Sequence, residues 1–145
     1  MSDWDILRKT YKIKQSLGAG TYGTVAMVKH RQTKKIYAAK YLKNFMDSKY
    51  RSKMAVRELQ LMIQLSNLKN NGFSTKIYDI VLAGDKENFD SLFIVMDYVE
   101  QDLCSMIEDE NILFELDHAL TILYNMLCGL NFLNSAGVIH RDLKP

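Results

Sequence analysis

The sequence predicts an α+β fold, in which a five-stranded antiparallel sheet with one long helix precedes a run of further helices. Three observations carry this. Segments alternating apolar and polar residues fill the first part of the chain and read as half-buried strands. One long helix-period stretch interrupts them, and its length excludes a strand. From Asp102 onwards the pattern turns to helical spacing alone, with capping residues where helices would begin and end.

The elements follow in order. Tyr11, Ile13 and Leu17 alternate with Lys12, Lys14 and Ser16, giving a first strand that ends at Gly18. A second strand begins near Thr24 with Val25, Met27 and Val28, the basic stretch from His30 to Lys35 turns the chain, and Ile36 to Leu42 forms a third. Lys49 to Leu68 is a helix capped by Ser48, with a face bearing Met54, Leu61, Met62 and Leu65, and Glu58 falls on that face. Asn70-Asn71-Gly72 closes the section. Ile77 to Ala83 and Leu92 to Asp97 are two more strands, joined by a polar loop from Gly84 to Asp90. Asp102 caps a short helix to Glu108, and Asp117 starts a long one that ends near Gly137. That last helix is apolar on nearly every side, which predicts burial all round.

Composition narrows the function classes. The 145 residues suffice for one sizeable core, and 48% apolar with 25% charged residues is ordinary for a soluble globular protein. A formal charge of +2 without a long run of one sign offers no electrostatic case for nucleic acid or membrane binding. The apolar run from Leu116 to Leu133 is broken by Asp117, His118, Thr121, Asn125, Gly129 and Asn131, which excludes a membrane span. Cys104 and Cys128 sit in apolar helical patterns and read as buried free thiols of a reducing compartment. The acidic N-terminus lacks an apolar signal stretch, so the cytoplasm, the nucleus or both are expected.

Four constellations carry chemistry. Gly18-Ala19-Gly20-Thr21-Tyr22-Gly23 lies between two strands and leads to Val25. Such a loop lets backbone amides approach phosphate oxygens without side chains in the way, although a plain glycine-rich hairpin has the same pattern. A helix after the glycines would suggest a dinucleotide fold, but here a strand follows. In Tyr37-Ala38-Ala39-Lys40, alternation puts Ala38 and Lys40 on one face, where a small residue leaves room for a flat base and the amine reaches its phosphates. A carboxylate at Glu58, turned towards the protein, requires a cation or hydrogen-bond donors to offset its desolvation, and Lys40 is the natural partner. The end of the long helix then presents His140, Arg141, Asp142 and Lys144 in one turn.

Taken in order and spacing, the glycine loop, Lys40, Glu58, the Met96–Val99 stretch and His140-Arg141-Asp142-Leu143-Lys144-Pro145 resemble the signature set of eukaryotic protein kinases of the serine/threonine type. The resemblance covers essentially the whole chain. Tyr78-Asp79-Ile80, the stretch from Ile94 to Leu103, and Cys128 to Leu133 are most similar to the mitogen-activated and cyclin-dependent groups. It implies an N-terminal extension over residues 1–10, a kinase N-lobe and hinge over 11–99, and the start of a helical C-lobe over 100–145.

The implied ligand is ATP, held by Gly18, Ala19, Gly20, Gly23, Val25, Ala38 and Lys40. Met96 stands at the gatekeeper position, and Asp97 and Val99 at the positions whose backbone meets the adenine edge. The implied catalytic residues are Asp142 as base, Lys144 at the transferred phosphate, and the Lys40–Glu58 pair, with His140 and Arg141 organising the loop. Protein substrates and an upstream kinase are the implied partners, and phosphate on Tyr22 is expected to repel those of ATP. Mg2+ is implied too, but the sequence stops two residues short of the family's metal-binding Asn, and no Asp-Phe-Gly is present. No metal ligand is therefore assigned. The 145 residues alone are expected to lack useful transferase activity and to be poorly soluble, and a non-catalytic decoy or interaction module is the alternative reading.

Overall fold

A computed structural model describes residues 3–20, 23–69, 71–85 and 88–144. The expected roles of Thr21, Tyr22 and Pro145 lie outside these residues. The chain divides into two compact units, the first comprising Met1–Asn71 and Thr75–Tyr98, the second Gly72–Ser74 and Val99–Pro145.

The first unit is a five-stranded antiparallel sheet with one long helix. Its strands are β1 (Tyr11–Gly20), β2 (Gly23–His30), β3 (Ile36–Leu42), β4 (Ile77–Asp85) and β5 (Asn88–Met96), in the spatial order β1-β2-β3-β5-β4. Helix α1 (Lys49–Asn67) enters between β3 and β4. Its start is fixed by Ser48, whose side-chain oxygen accepts from the Arg51 N–H at 3.2 Å. Its end is held by Asn71, whose amide donates to the Leu65 carbonyl at 2.7 Å. The β4–β5 connection is shorter than expected, because pairing continues to Asp85 and Asn88 through residues that look loop-like by polarity.

Antiparallel partners share a face, so register sorts the sheet into two sides. On one side Leu42, Leu92 and Ile94 pack with Phe45 and with Ala55, Leu59 and Met62 of α1. This corrects the expected helix face. The buried stripe runs through Ala55, Leu59 and Met62, whereas Met54 and Leu61 are exposed. The apolar pattern of α1 is broad enough to allow either stripe, and packing on the sheet selects the one at i, i+4, i+7.

The other side buries Val28, Ala39, Tyr41, Phe93 and Val95. Its cover is the segment that precedes the first strand, which forms a short 3-10 helix from Asp3 to Lys9. Leu7 is fully buried there, and Trp4 meets Phe93 edge-on with ring centroids 4.9 Å apart. Asp3 accepts a hydrogen bond from the Tyr41 hydroxyl at 2.6 Å. The sheet is thus covered on both faces, by α1 and by this N-terminal turn.

Tyr11 anchors the start of β1. It is buried, and its hydroxyl donates to Asp79 Oδ2 at 3.3 Å. Burial, reinforced by the Asp79 carboxylate, pushes its pKa up to about 12. Because the folded value lies above the unfolded value of 10.0, this contribution to stability is full below pH 10 and is lost as pH rises towards 12. Tyr11→Phe is therefore expected to flatten the fall in stability across that window, measured by denaturant melts at successive pH values. An unchanged pH profile would refute the assignment.

The second unit is helical. Helix α2 (Leu103–Glu108) starts at Asp102, whose carboxylate accepts from the Ser105 N–H at 2.8 Å and from its hydroxyl at 2.6 Å. The hydroxyl, then the amide, hold the Asp102 carboxyl below its ordinary value. Helix α3 (Leu116–Ser135) begins with a reciprocal capping pair, Glu115 and His118, one residue before the expected start. Phe73 packs on α3 against Phe132, ring centroids 5.7 Å apart. Contrary to expectation α3 contains no buried residue, and Leu116, Leu120, Leu123, Tyr124 and Leu127 are exposed. Cys104 is also exposed, not buried, and its thiol points to Glu108 at 3.5 Å on the polar side of its helix. Among the described residues no helix is long and apolar enough to cross a membrane.

Candidate functional site

Register assembles the expected nucleotide-facing residues of the first unit. Gly18 pairs with Val25, Val25 with Lys40, and Lys40 with Ile94, which makes one row across four strands. The neighbouring row on the same face runs from Met27 through Ala38 to Met96. Gly18, Val25, Ala38, Lys40 and Met96 therefore share the α1 side of the sheet. Ala19 pairs with Thr24 and belongs to the opposite face, so it can offer this side only backbone.

Lys40 Nζ donates to Glu58 Oε1 at 2.5 Å, linking β3 to α1. The lysine side chain is 22% exposed and the glutamate 41%, so water still reaches the pair. A pair that wet contributes only about 0–1 kcal/mol to stability. Its consequence is geometric, because it aims the amine along the sheet face and holds α1 to that position.

The two ends of the glycine loop differ. Gly23 has φ +137°, and a Cβ there would lie 1.8 Å from the Tyr41 carbonyl oxygen, so the fold itself demands glycine. At Gly18 a Cβ would meet nothing within 4 Å. No packing in this structure requires glycine at Gly18, and its bare backbone leaves open the space in the row that contains Lys40.

At the end of β5, Asp97 closes the sheet onto the start of β4. Its carboxylate accepts from the Lys76 N–H at 2.7 Å and from the Tyr78 hydroxyl at 2.7 Å, while its own N–H donates to the Lys76 carbonyl at 3.1 Å. The hydrogen bond to Asp97 raises the Tyr78 pKa. The Asp97 side chain is thus engaged in fixing the strand end. Val99 is exposed and belongs to the second unit.

In the second unit the end of α3 aims the turn that carries Asp142. The Val138 N–H donates to the Leu133 carbonyl and the Gly137 N–H to that of Asn134, both at 2.9 Å, with Gly137 at φ +71°. This is the paired closure that left-handed glycine permits. Beyond it Arg141 takes φ +62°, which costs a residue with a Cβ about 1–3 kcal/mol. The Asp142 N–H donates to His140 Nδ1 at 3.2 Å, and the Asp142 carboxylate faces Lys144 Nζ at 3.2 Å with both side chains exposed. The turn therefore presents an accessible carboxylate with a cation beside it.

A family model described as the protein kinase domain matches residues 11–145. The chain belongs to the protein kinase family. Its sheet, its single long helix between β3 and β4, and the helices that follow are those of a protein kinase N-lobe and the beginning of the C-lobe. Among the curated relatives, the mitogen-activated protein kinase homolog NTF6 of Nicotiana tabacum is 36% identical over 131 residues, 90% of this chain and 34% of the relative. Mitogen-activated protein kinase 13 of Arabidopsis thaliana is 34% identical over 90% of the chain and 35% of the relative. The mitogen-activated protein kinase spm1 of Schizosaccharomyces pombe is 34% identical over 93% of the chain and 31% of the relative. This kinase chain thus spans about a third of the length of the curated relatives it matches.

Proposed function

We propose that this chain supplies the nucleotide-holding and proton-accepting groups of a serine/threonine protein kinase, which transfers the γ-phosphoryl of ATP to protein hydroxyls. The observation that carries the reading is the Lys40–Glu58 pair at 2.5 Å, standing in one row with Gly18 and Val25. Such transfer depends on positioning and charge neutralisation, and in protein kinases this lysine–glutamate pair must be in place. Gly18 and Gly20 admit the phosphates to the backbone, and Lys40 neutralises their oxygens. Val25 and Ala38 leave a flat apolar surface for the base, and the backbone at Asp97 and Val99 serves its edge. Asp142 accepts the proton of the attacking hydroxyl, and Lys144 shields the charge that builds on the transferred group. Protein substrates and an activating upstream kinase belong to the same reading.

The family generally uses Mg2+ with ATP. Among the described residues no group of three His, Cys, Asp or Glu side chains could hold a metal ion.

The test compares two single-residue variants with the wild type, each expressed at the length of the native product. Asp142→Asn is expected to leave binding of a fluorescent ATP analogue unchanged while lowering phosphoryl transfer about 10²–10⁴-fold, the range for removing a general base. Lys40→Ala is expected to weaken binding of that analogue about tenfold, since it removes a charge-assisted contact. Wild-type transfer by Asp142→Asn would overturn the proposal.

A further inference from the structure

A second charged feature of the first unit lies outside the nucleotide-facing rows. Lys12 and Lys14 of β1, Lys29 and His30 of β2, and Arg31 and Lys34 of the β2–β3 turn line one groove. Among the described residues none of the six shares an ion pair with a carboxylate. Lys12 and Lys29 stand directly opposite each other across the β1–β2 pair. Like charges at that spacing destabilise a sheet. β1 is an edge strand, and lysines on an edge discourage unwanted strand pairing. That accounts for Lys12 and Lys14, but not for Lys29 on the inner strand or for Arg31 and Lys34 in the turn.

The turn is also held in place. Arg31 Nε donates to the Arg8 carbonyl at 2.8 Å, and the Arg31 N–H to that of Thr10 at 2.9 Å. The Thr33 N–H donates to His30 Nδ1 at 3.1 Å, and Lys34, at φ +63°, donates to the Arg31 carbonyl at 2.6 Å. A cationic groove that keeps its charges close on a fixed frame is pre-organised for anions.

We propose that this groove docks an acidic protein segment. A protein segment fits better than a polyanionic duplex or a membrane for two reasons. The charge is concentrated in one groove of a chain whose net charge is only +2, and the groove's volume of about 320 Å³ suits a few carboxylates, not an extended surface. The site is independent of the kinase reading, because none of the six residues stands in the row of Gly18, Val25 and Lys40 and binding needs no turnover.

The probe is a fluorescein-labelled hexaglutamate peptide, followed by anisotropy on the full chain. Lys12→Glu with Lys29→Glu is expected to weaken binding at least about tenfold. Lys49→Glu with Lys53→Glu, the same change of net charge placed on α1, is expected to leave it within about twofold. Lys12→Glu alone puts a carboxylate opposite Lys29, so it is expected to raise the melting temperature while weakening the peptide. That separates lost binding from lost folding. Equal weakening by the α1 pair would overturn the proposal, as would tighter capture of oligo-dT or of phosphatidylserine vesicles through the same lysines.

Discussion

Phe93→Ala is expected to lower the stability of the first unit by about 3–5 kcal/mol, the usual cost of emptying a buried aromatic site. Phe93 is fully buried, stacks on Tyr41 with ring centroids 4.5 Å apart, and meets Trp4 edge-on at 4.9 Å. The site cannot collapse readily, because β3 and β4 flank it on both sides and the 3-10 helix lies above. Folded domains are stable by only about 5–15 kcal/mol, so the variant should sit close to its unfolding threshold. Trp4 is the one tryptophan in the sequence and touches the deleted ring, which makes its fluorescence a direct reporter. A urea midpoint equal to that of the wild type would show that the N-terminal turn does not pack on Phe93 in solution.

The second large effect separates two glycines of one motif. Gly23→Ala is expected to unfold or severely destabilise the β1–β2 hairpin, since the added methyl would fall 1.8 Å from the Tyr41 carbonyl oxygen at φ +137°. The unusual φ alone costs about 1–3 kcal/mol, and the backbone clash adds to it. Gly18→Ala meets nothing within 4 Å, and its melting temperature should match or slightly exceed that of the wild type. Its methyl would instead stand on the α1 side of the sheet, in the row that runs through Val25 to Lys40, so affinity for an ATP analogue should fall while stability holds. Equal melting of the two variants would contradict the geometry, and unchanged affinity in Gly18→Ala would remove Gly18 from the proposed phosphate site.

The parts legible in the sequence were those decided locally. β3 runs over the residues that alternation marks, and Ser48 caps α1 as its type and position suggest. Lys40 and Glu58 could be paired from spacing, because a strand lysine and an inward helix carboxylate each need the other. What depended on tertiary pairing was not legible. Trp4, Ile6 and Leu7 follow no helical or strand period, and only the exposed back of the sheet makes a cover of them. The extra length of β4 and β5 comes from cross-strand hydrogen bonds between polar residues, which polarity assigns to a loop. Which stripe of α1 is buried was settled by the sheet beneath it. The basic groove was hidden in the same way. Lys12 and Lys14 are distant in sequence from Lys29, Arg31 and Lys34, and antiparallel pairing alone brings the two sets into one place.

The two covers of the sheet have a consequence for how this strand can change over generations. Along β3, Tyr37, Ala39 and Tyr41 belong to the N-terminal side, and Ala38, Lys40 and Leu42 to the α1 side. Neither side is open solvent that would forgive a misplaced residue. A point substitution in β3 spoils one layer, but inserting or deleting a single codon shifts every following side chain to the wrong one. Such a slip would drive the lysine amine under Trp4 and turn a tyrosine towards Glu58. β3 should therefore vary in letters among descendants while its length stays fixed, and a deletion scan should show a sharp gap there, bordered by tolerance in the turn that precedes it.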